Sequence, residues 1–548
     1  MWRKGIAAVA LLLMLSLVAD AVPRYAFRIV FRDKNNEHSV REASSFLSSR
    51  ALERRAQNNI AFDEKDLPVS KEYLTRVLAL TQGSLHLTSK WLNSCVIWLE
   101  DSSRILSVAE EPYIASVAYV GYKNEEHKGA AKTLLVHSSG AKYKTTGNAA
   151  FYGSSWTQTD FVKGECLHDK GIRGQGKFIA ILDDGFHYVN TNPAFDSVFS
   201  SGRILDTRNF VQGNTDVYSD FLFHGTVTFS TMAVNMPNIY VGAAPEASYA
   251  LFVTEDASSE TPVEMDNMVA AFERADSLGV DVVSVSLGYN TFDPPFPSLT
   301  PADMDGKTTV AAIGANIAAQ KGMLMVITAG NEGNWGLLTP GDADSALTVG
   351  NVDVNKTPAG SSSYGPNASG TVKPEVCALG QPGFVVTSSQ SPFGASGTSI
   401  STPQVAGWAA CLWQASTGKT NVQIKRAIVE SSHLFPSYQL PQLGYGVPDF
   451  CQADITLSAE PIEKNVSLEV YPNPFVRELF LKVDLKESAN VSIVISDVAG
   501  REILSWDEML DAGLHRLPLE VPQSLTEGIY FARIFAGREL RTIKLFKR

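Results

Sequence analysis

Hydrophobic positions follow three different rhythms along the chain. From about residue 160 to 454, short near-continuous apolar runs recur between longer stretches with helical spacing. Phe178-Ile179-Ala180-Ile181-Leu182, Val280 to Ser286 and Met323 to Ile327 read as strands, and Met265 to Leu278 and Pro403 to Ala415 as helices. Strands apolar on both faces that alternate with helices predict an α/β fold, a parallel sheet covered by helices on both faces. In such sheets the chemistry gathers beyond the carboxyl ends of the strands.

The flanking regions differ. Between residues 22 and 124, Tyr25 to Phe31 alternates like a half-buried strand. Ser44 to Arg55 and Lys71 to Thr81 read as helices, and Cys95 to Leu99 and Ser116 to Val120 as strands, giving a small α+β domain. Residues 125–157 are rich in Lys, Gly, Ser, Thr and Ala without periodicity, which predicts an exposed linker open to proteolysis. Residues 466–548 carry short alternating runs at Glu478 to Val483, Asn490 to Ser496 and Ile529 to Ile534, with Gly500 and Gly513 at turns, and predict a small antiparallel β-sandwich. The central domain is expected over residues 158–455.

Composition narrows the setting. At 548 residues the chain exceeds one ordinary core. A dispersed net charge of −12 excludes a nucleic-acid partner. Arg3 and Lys4, the apolar run Gly5 to Ala19 and the small residues of Ala19-Asp20-Ala21 predict a secretory signal peptide over residues 1–21. That run is short for a membrane span, and no later run reaches 18 apolar residues, so no transmembrane segment is expected in the mature form. Five cysteines are too few for a disulfide scaffold; Cys377 and Cys411 sit in apolar patterns and read as buried thiols.

Four short motifs carry candidate chemistry. Asp183-Asp184-Gly185 ends one strand, His224-Gly225-Thr226 heads an apolar helical pattern, Ala329-Gly330-Asn331 ends another strand, and Gly397-Thr398-Ser399 opens a helix. Each has an ordinary explanation as a turn or cap. In the order Asp, His, Asn, Ser on one α/β pattern they resemble the subtilisin-like serine proteases. Ser284-Val285-Ser286-Leu287-Gly288 matches that family's substrate strand, and Gly397 to Gly407 its nucleophile motif.

The resemblance implies a serine endopeptidase with Asp183, His224 and Ser399 as catalytic triad. Asn331 and the Ser399 N–H would form the oxyanion hole, and Ser286, Leu287 and Gly288 would pair with a protein or peptide substrate. No cofactor or catalytic metal is implied; calcium is frequent in the family, but no ligand cluster with diagnostic spacing stands out. Several positions depart from the family pattern. Ile400, Ser401 and Gln404 vary where no chemistry is performed, and Val227 replaces a second histidine that has no catalytic role. Asp184 stands where Ser or Thr is usual; Asp183 is assigned the triad role from its place at the strand end, and Asp184 is expected to point aside. Residues 22–124 fall where the family carries a ferredoxin-like propeptide. At the other end, Val470-Tyr471-Pro472-Asn473-Pro474, Asp497 to Glu502, Gly528-Ile529-Tyr530 and Lys544 to Lys547 resemble the C-terminal sorting domain of the type IX secretion system. This implies that machinery as a partner, and a place outside a Gram-negative cell, secreted or on its outer surface. The alternative reading is a catalytically inactive subtilisin fold serving as a surface adhesin or binding protein. An esterase is disfavoured because the order is Asp, His, Ser and no Gly-x-Ser-x-Gly elbow surrounds Ser399.

Overall fold

The structure, a computed structural model, describes residues 23–123, 135–137, 148–219, 221–438, 440–458, 466–485, 488–498, 500–522, 524–536 and 539–548. The expected signal peptide and residues 125–134 and 138–147 of the expected linker lie outside the described residues. The chain divides into two compact units, the first ending at Leu457 and the second beginning at Ser458.

A seven-stranded, wholly parallel sheet organises the first unit. Its strands lie in the order Val376–Gln381, Leu347–Asp353, Leu324–Thr328, Val282–Val285, Phe178–Asp183, Ser248–Val253, Ile204–Asn209. Alternation along the central strand builds two cores. Ile179 and Ile181 pack with Phe229, Met232 and Trp408 on one face. Phe178, Ala180 and Leu182 pack with Met268, Phe272 and Ala315 on the other. Leu182, Val285 and Ile327 are paired in one row, so the residues after them, Asp183, Ser286 and Thr328, form the carboxyl edge.

The helix carrying Ser399 begins earlier than its hydrophobic spacing predicts, at Thr398 rather than Pro403, and runs to Ala415. Pro403 therefore lies inside it. A proline there offers no N–H to the carbonyl four residues back, which is Ser399. The Ser286 hydroxyl donates to that carbonyl at 3.3 Å. The break in the ladder is thus satisfied from the sheet edge.

At the amino-terminal side, four antiparallel strands lie in the order Ser84–Ser89, Ser94–Leu99, Arg24–Phe31, Ile114–Lys123, the arrangement of a ferredoxin-like domain. One helix covers Lys71–Thr81, capped by Ser70. The helix expected over Ser44 to Arg55 is instead a 3-10 turn, Val40–Phe46, and a helix Ser49–Gln57. Serines compete for caps, and the Ser48 hydroxyl accepts from the Ala51 N–H, restarting the helix. Residues 148–157 do not behave as exposed linker: Ala149, Tyr152 and Ser155 are buried, and the Ser155 hydroxyl donates to the Val241 carbonyl at 2.7 Å. Cys166 and Cys451 form a disulfide, while Cys95, Cys377 and Cys411 are buried thiols. Burial pushes Cys95 and Cys377 up to about 12, which leaves them inert.

The second unit is a two-sheet β-sandwich. Val466–Tyr471, Leu479–Leu485 and Gly513–Leu519 form one antiparallel sheet; Glu502–Leu510, Ala489–Asp497, Gly528–Ala536 and Glu539–Lys547 form the other. Leu481, Val483, Ile493, Ile495, Ala532 and Ile534 fill its core. Among the described residues, no helix is long and apolar enough to cross a membrane.

The amino-terminal domain docks on the helix Val263–Leu278 through an apolar seam, in which Ala26, Val96, Trp98 and Val120 pack with Val263, and through polar contacts. Glu273 accepts from the Lys90 and Trp91 N–H groups at 2.9 and 3.0 Å and from the Ser89 hydroxyl. Arg28 pairs with Asp266 at 3.1 Å. Arg55 bridges Asp66 of its own domain, at 3.0 Å, and Asp276 of the helix, at 2.8 Å, and all three side chains are essentially fully buried. Lys321 closes the network on Asp66 at 2.9 Å. Removing one partner of a buried pair strands the other's charge, at a cost of about 3–5 kcal/mol. Asp276→Ala should therefore lower the melting temperature of the full-length chain by many degrees, whereas truncating the exposed Arg76–Glu72 pair should leave it almost unchanged.

His86 supplies a pH dependence. Its Nε2 lies 2.8 Å from the Asn267 Oδ1, and burial first, then Asn267 in opposition and Lys123 and Arg24 in support, leaves its pKa pushed down to about 4 from 6.5. A histidine depressed in the fold contributes stability above about pH 6.5 that is lost as pH falls toward 4. The melting temperature of the parent relative to His86→Gln should thus decline between pH 7 and pH 5; a difference constant with pH refutes this role.

Candidate active site

Asp183 ends the central strand with no solvent exposure, and every donor around it comes from a neighbouring turn or helix. Its Oδ1 lies 2.6 Å from the His224 Nδ1 and accepts from the Asp184 N–H at 2.9 Å. Its Oδ2 accepts from the Thr228 hydroxyl at 2.9 Å. His224 opens the helix His224–Ala233, and Thr228 is one turn further along the same face. Thr228 escapes a motif-based reading, although its spacing of four from His224 is the available signal. The helix approaches so closely that a Cβ on Gly225 would lie 2.4 Å from the Gly185 carbonyl oxygen and 2.9 Å from the Asp183 Cβ. Only glycine fits between the imidazole-bearing turn and the acidic turn.

Ser399 is the second residue of its helix and 5 % exposed. Gly397 precedes the helix with φ 150°, a conformation that disfavours side chains. A Cβ there would sit 3.1 Å from the Ser399 Oγ and 3.6 Å from the Asn331 Nδ2, so Gly397 keeps the space between them open. The Asn331 Oδ1 accepts from both the N–H and the hydroxyl of Thr398, at 2.9 and 3.0 Å. With its oxygen occupied, the amide presents Nδ2 as donor. Thr398, absent from the sequence-derived site, is the buckle: the Thr328 hydroxyl also donates to it at 2.6 Å, tying the Ser399 helix to the strand end that carries Asn331.

Ser286 and Leu287 are buried and follow the strand Val282–Val285. The Leu287 side chain enters the core, so what it can offer a ligand is backbone. Gly288 packs so tightly that a Cβ would meet the Leu338 Cβ at 2.7 Å. Beside Asn331 opens a cavity of about 660 Å³ lined by Glu332, Asn334, Tyr364, Leu440 and Gln442.

Asp184 does not point aside. One carboxylate oxygen each from Asp183 and Asp184 and one ring nitrogen of His224 lie within 4.8 Å of one another. The Asp184 Oδ1 accepts from the Gly225 N–H at 3.1 Å. Burial, then the negative charge of Asp183, pushes its pKa up to about 7, against the pull of His224 and of the Gly225 N–H.

Outside this group, and among the described residues, one further set of carboxylates converges: Glu255, Glu260 and Glu264, with oxygens within 4.8 Å. Oxygen ligands suit a hard cation such as calcium, but calcium takes six to eight of them. Here the Glu264 oxygens already accept from the Asp256 and Thr261 N–H groups, and the Tyr289 hydroxyl donates to Glu255. The set reads as loop-ordering acceptors.

Comparison with known proteins agrees with this geometry. Residues 174–447, half of the chain, match the model of the Subtilase family. Residues 26–133 match the Peptidase S8 propeptide domain of Bacteroidota, and residues 469–548 the Secretion system C-terminal sorting domain. Subtilisin Savinase of Lederbergia lenta is 30% identical over 267 residues, covering 48% of this chain and 86% of that protein. The Thermostable alkaline protease of Halalkalibacterium halodurans is 28% identical over 277 residues, 50% of this chain and 66% of the relative. Subtilisin E of Bacillus subtilis is 29% identical over 273 residues, 48% and 62% of the two chains. The chain thus spans most of the first of these and less than two thirds of the other two. A propeptide domain and a sorting domain on either side of the match indicate a secreted or cell-surface protein of the Bacteroidota. By its matched domain and by that relative, the chain belongs to the subtilase family of serine-type endopeptidases.

Proposed function

We infer that the protein hydrolyses peptide bonds through Asp183, His224 and Ser399 by way of an acyl-enzyme. The observation that carries this reading is the 2.6 Å contact between the His224 Nδ1 and a fully buried Asp183 carboxylate. That contact holds the proton on Nδ1 and leaves Nε2 as the base. Nε2 takes the proton of the Ser399 hydroxyl as Oγ attacks the scissile carbonyl, then delivers it to the leaving amine; water repeats the sequence on the ester. Asp183 stabilises the imidazolium formed in each half. The negative oxygen of the tetrahedral intermediate is met by the Asn331 Nδ2 and the Ser399 N–H, at the positive end of the helix Thr398–Ala415. An extended substrate adds its backbone beside Ser286 to Gly288, and the cavity at Glu332 and Tyr364 receives one of its side chains.

The chain is made, on this reading, as a preproenzyme. The signal peptide is removed on export, the amino-terminal domain after cleavage between it and the peptidase domain, and the sorting domain at the outer membrane by the type IX machinery. Intact-mass measurement and amino-terminal sequencing of the secreted form check all three steps.

Two variants test the chemistry. Purified protein should be labelled by a fluorophosphonate probe, and Ser399→Ala should lose both labelling and peptide hydrolysis; persistent labelling of that variant sinks the assignment. Asn331→Ala should retain KM while kcat drops by roughly 10²–10³, the scale of one oxyanion donor. A drop confined to KM would place Asn331 in binding instead.

A further inference from the structure

The helix that carries His224 lacks a cap of its own. Its preceding residue, Phe223, has no side chain able to accept from the first turn, and no side-chain cap bond is made there. Helices normally satisfy the N–H of their second or third residue with a side-chain oxygen from the residue just before. Here the second residue is Gly225, and its N–H donates to Asp184 at 3.1 Å, from a different element. The same carboxylate lies within 4.8 Å of a His224 ring nitrogen and of the Asp183 carboxylate. One side chain thus does two things: it closes the open end of the helix and it sets a charge beside the imidazole.

We propose that Asp184 is a positioning residue of this active site, whose carboxylate caps the His224 helix from outside and, when ionised, adds a second negative charge that stabilises the His224 imidazolium. The proposal rests on the reading of Asp183, His224 and Ser399 as a triad. Four groups face Asp184. From its own turn comes Asp183, which opposes ionisation; from the helix come His224 and the Gly225 N–H, which favour it; from the loop after the strand Ser248–Val253 comes Glu255, which opposes it. The balance, with burial as the largest contribution, leaves the carboxyl titrating near neutrality. Its charge is therefore present at alkaline pH and absent in acid. Asp184 and His224 share their protons as a coupled pair, so the acid limb of activity belongs to both.

Asp184→Asn keeps the shape and the acceptor oxygen but removes the charge. Without that charge the imidazole loses its proton more readily. The acid limb of kcat/KM against pH, measured on processed enzyme with a peptide substrate, should move about one unit toward lower pH. The plateau should fall about threefold to tenfold, because the imidazolium formed in the transition state loses a neighbour. Superimposable profiles overturn the proposal. A second measurement needs no turnover. In the full chain with Ser399→Ala, a carboxyl raised in the fold holds a proton that the unfolded chain has lost, so its presence costs stability as pH rises from about 4 to 7. The melting temperature of Ser399→Ala/Asp184→Asn should therefore gain on Ser399→Ala between pH 5 and pH 8; a difference constant with pH overturns the proposal even if the protein proves not to be a peptidase. Should the asparagine variant fail to fold, Asp184→Ser, which also lacks the charge and keeps an acceptor, takes its place in both measurements.

Discussion

A carboxylate with no access to water sits at the carboxyl edge of the central strand, and much of the site is arranged to satisfy it. Burying an unpaired carboxylate costs several kcal/mol. Asp183 escapes that cost through three donors: the His224 ring, the Thr228 hydroxyl and the Asp184 N–H. Each donor imposes a condition. Thr228 and His224 must lie one turn apart on a single helix, that helix must approach closely enough to need Gly225, and the chain after Asp183 must turn at once. In the proposed reaction, the imidazole orientation that proton transfer needs is the same one that keeps this charge tolerable, so the proposed chemistry and local stability make one demand.

The Ser399 side is held by a different device, a helix with a missing hydrogen bond. Pro403 leaves the Ser399 carbonyl without its usual partner, and Ser286 on the sheet edge takes it. Thr398 meanwhile joins Asn331 and Thr328. Two strand ends, those of Val282–Val285 and Leu324–Thr328, are thereby fixed relative to Ser399 by polar contacts to the first turn of a single helix. A proline inside a helix, costly elsewhere, here frees an acceptor that registers the helix against the sheet.

How much of this is legible in the sequence depends on whether a local rule or a tertiary partner decides. The parallel sheet with helices on both faces follows from strand runs that are apolar throughout, and the ordered motifs around Asp183, His224, Asn331 and Ser399 identify the family. Misreadings occur where a partner overrides a local rule. Pro403 reads as a helix start because the carbonyl it leaves unpaired, that of Ser399, finds Ser286 only in space. Asp184 reads as side-pointing because a strand's alternation turns neighbours apart, whereas the tight turn at Gly185 brings both carboxylates to the same helix terminus. Residues 148–157 read as linker because small and polar residues give no period, although Tyr152 and Ser155 are buried against the sheet domain. Thr228 and Thr398 are invisible for a simpler reason: a threonine in a helix has many ordinary uses.

The docking of the amino-terminal domain obeys the same logic as the site, with the opposite outcome. Its contact with the helix Val263–Leu278 combines an apolar seam, where Ala26, Val96, Trp98 and Val120 pack with Val263, with buried charges: Arg28 on Asp266, Arg55 on Asp276, and Glu273 among backbone donors. Burial alone raises the pKa of both Asp266 and Glu273, which shows that pairing does not fully offset the lost hydration. Buried ion pairs of this kind contribute little net affinity, yet misalignment by one residue would leave charges stranded. They dictate where the domain sits more than how tightly it holds. On the proposed preproenzyme reading, these charged groups are ones that water can reclaim when the domain is released. The apolar seam at Val263 alone would hold the register less strictly, and the charges around it supply that strictness.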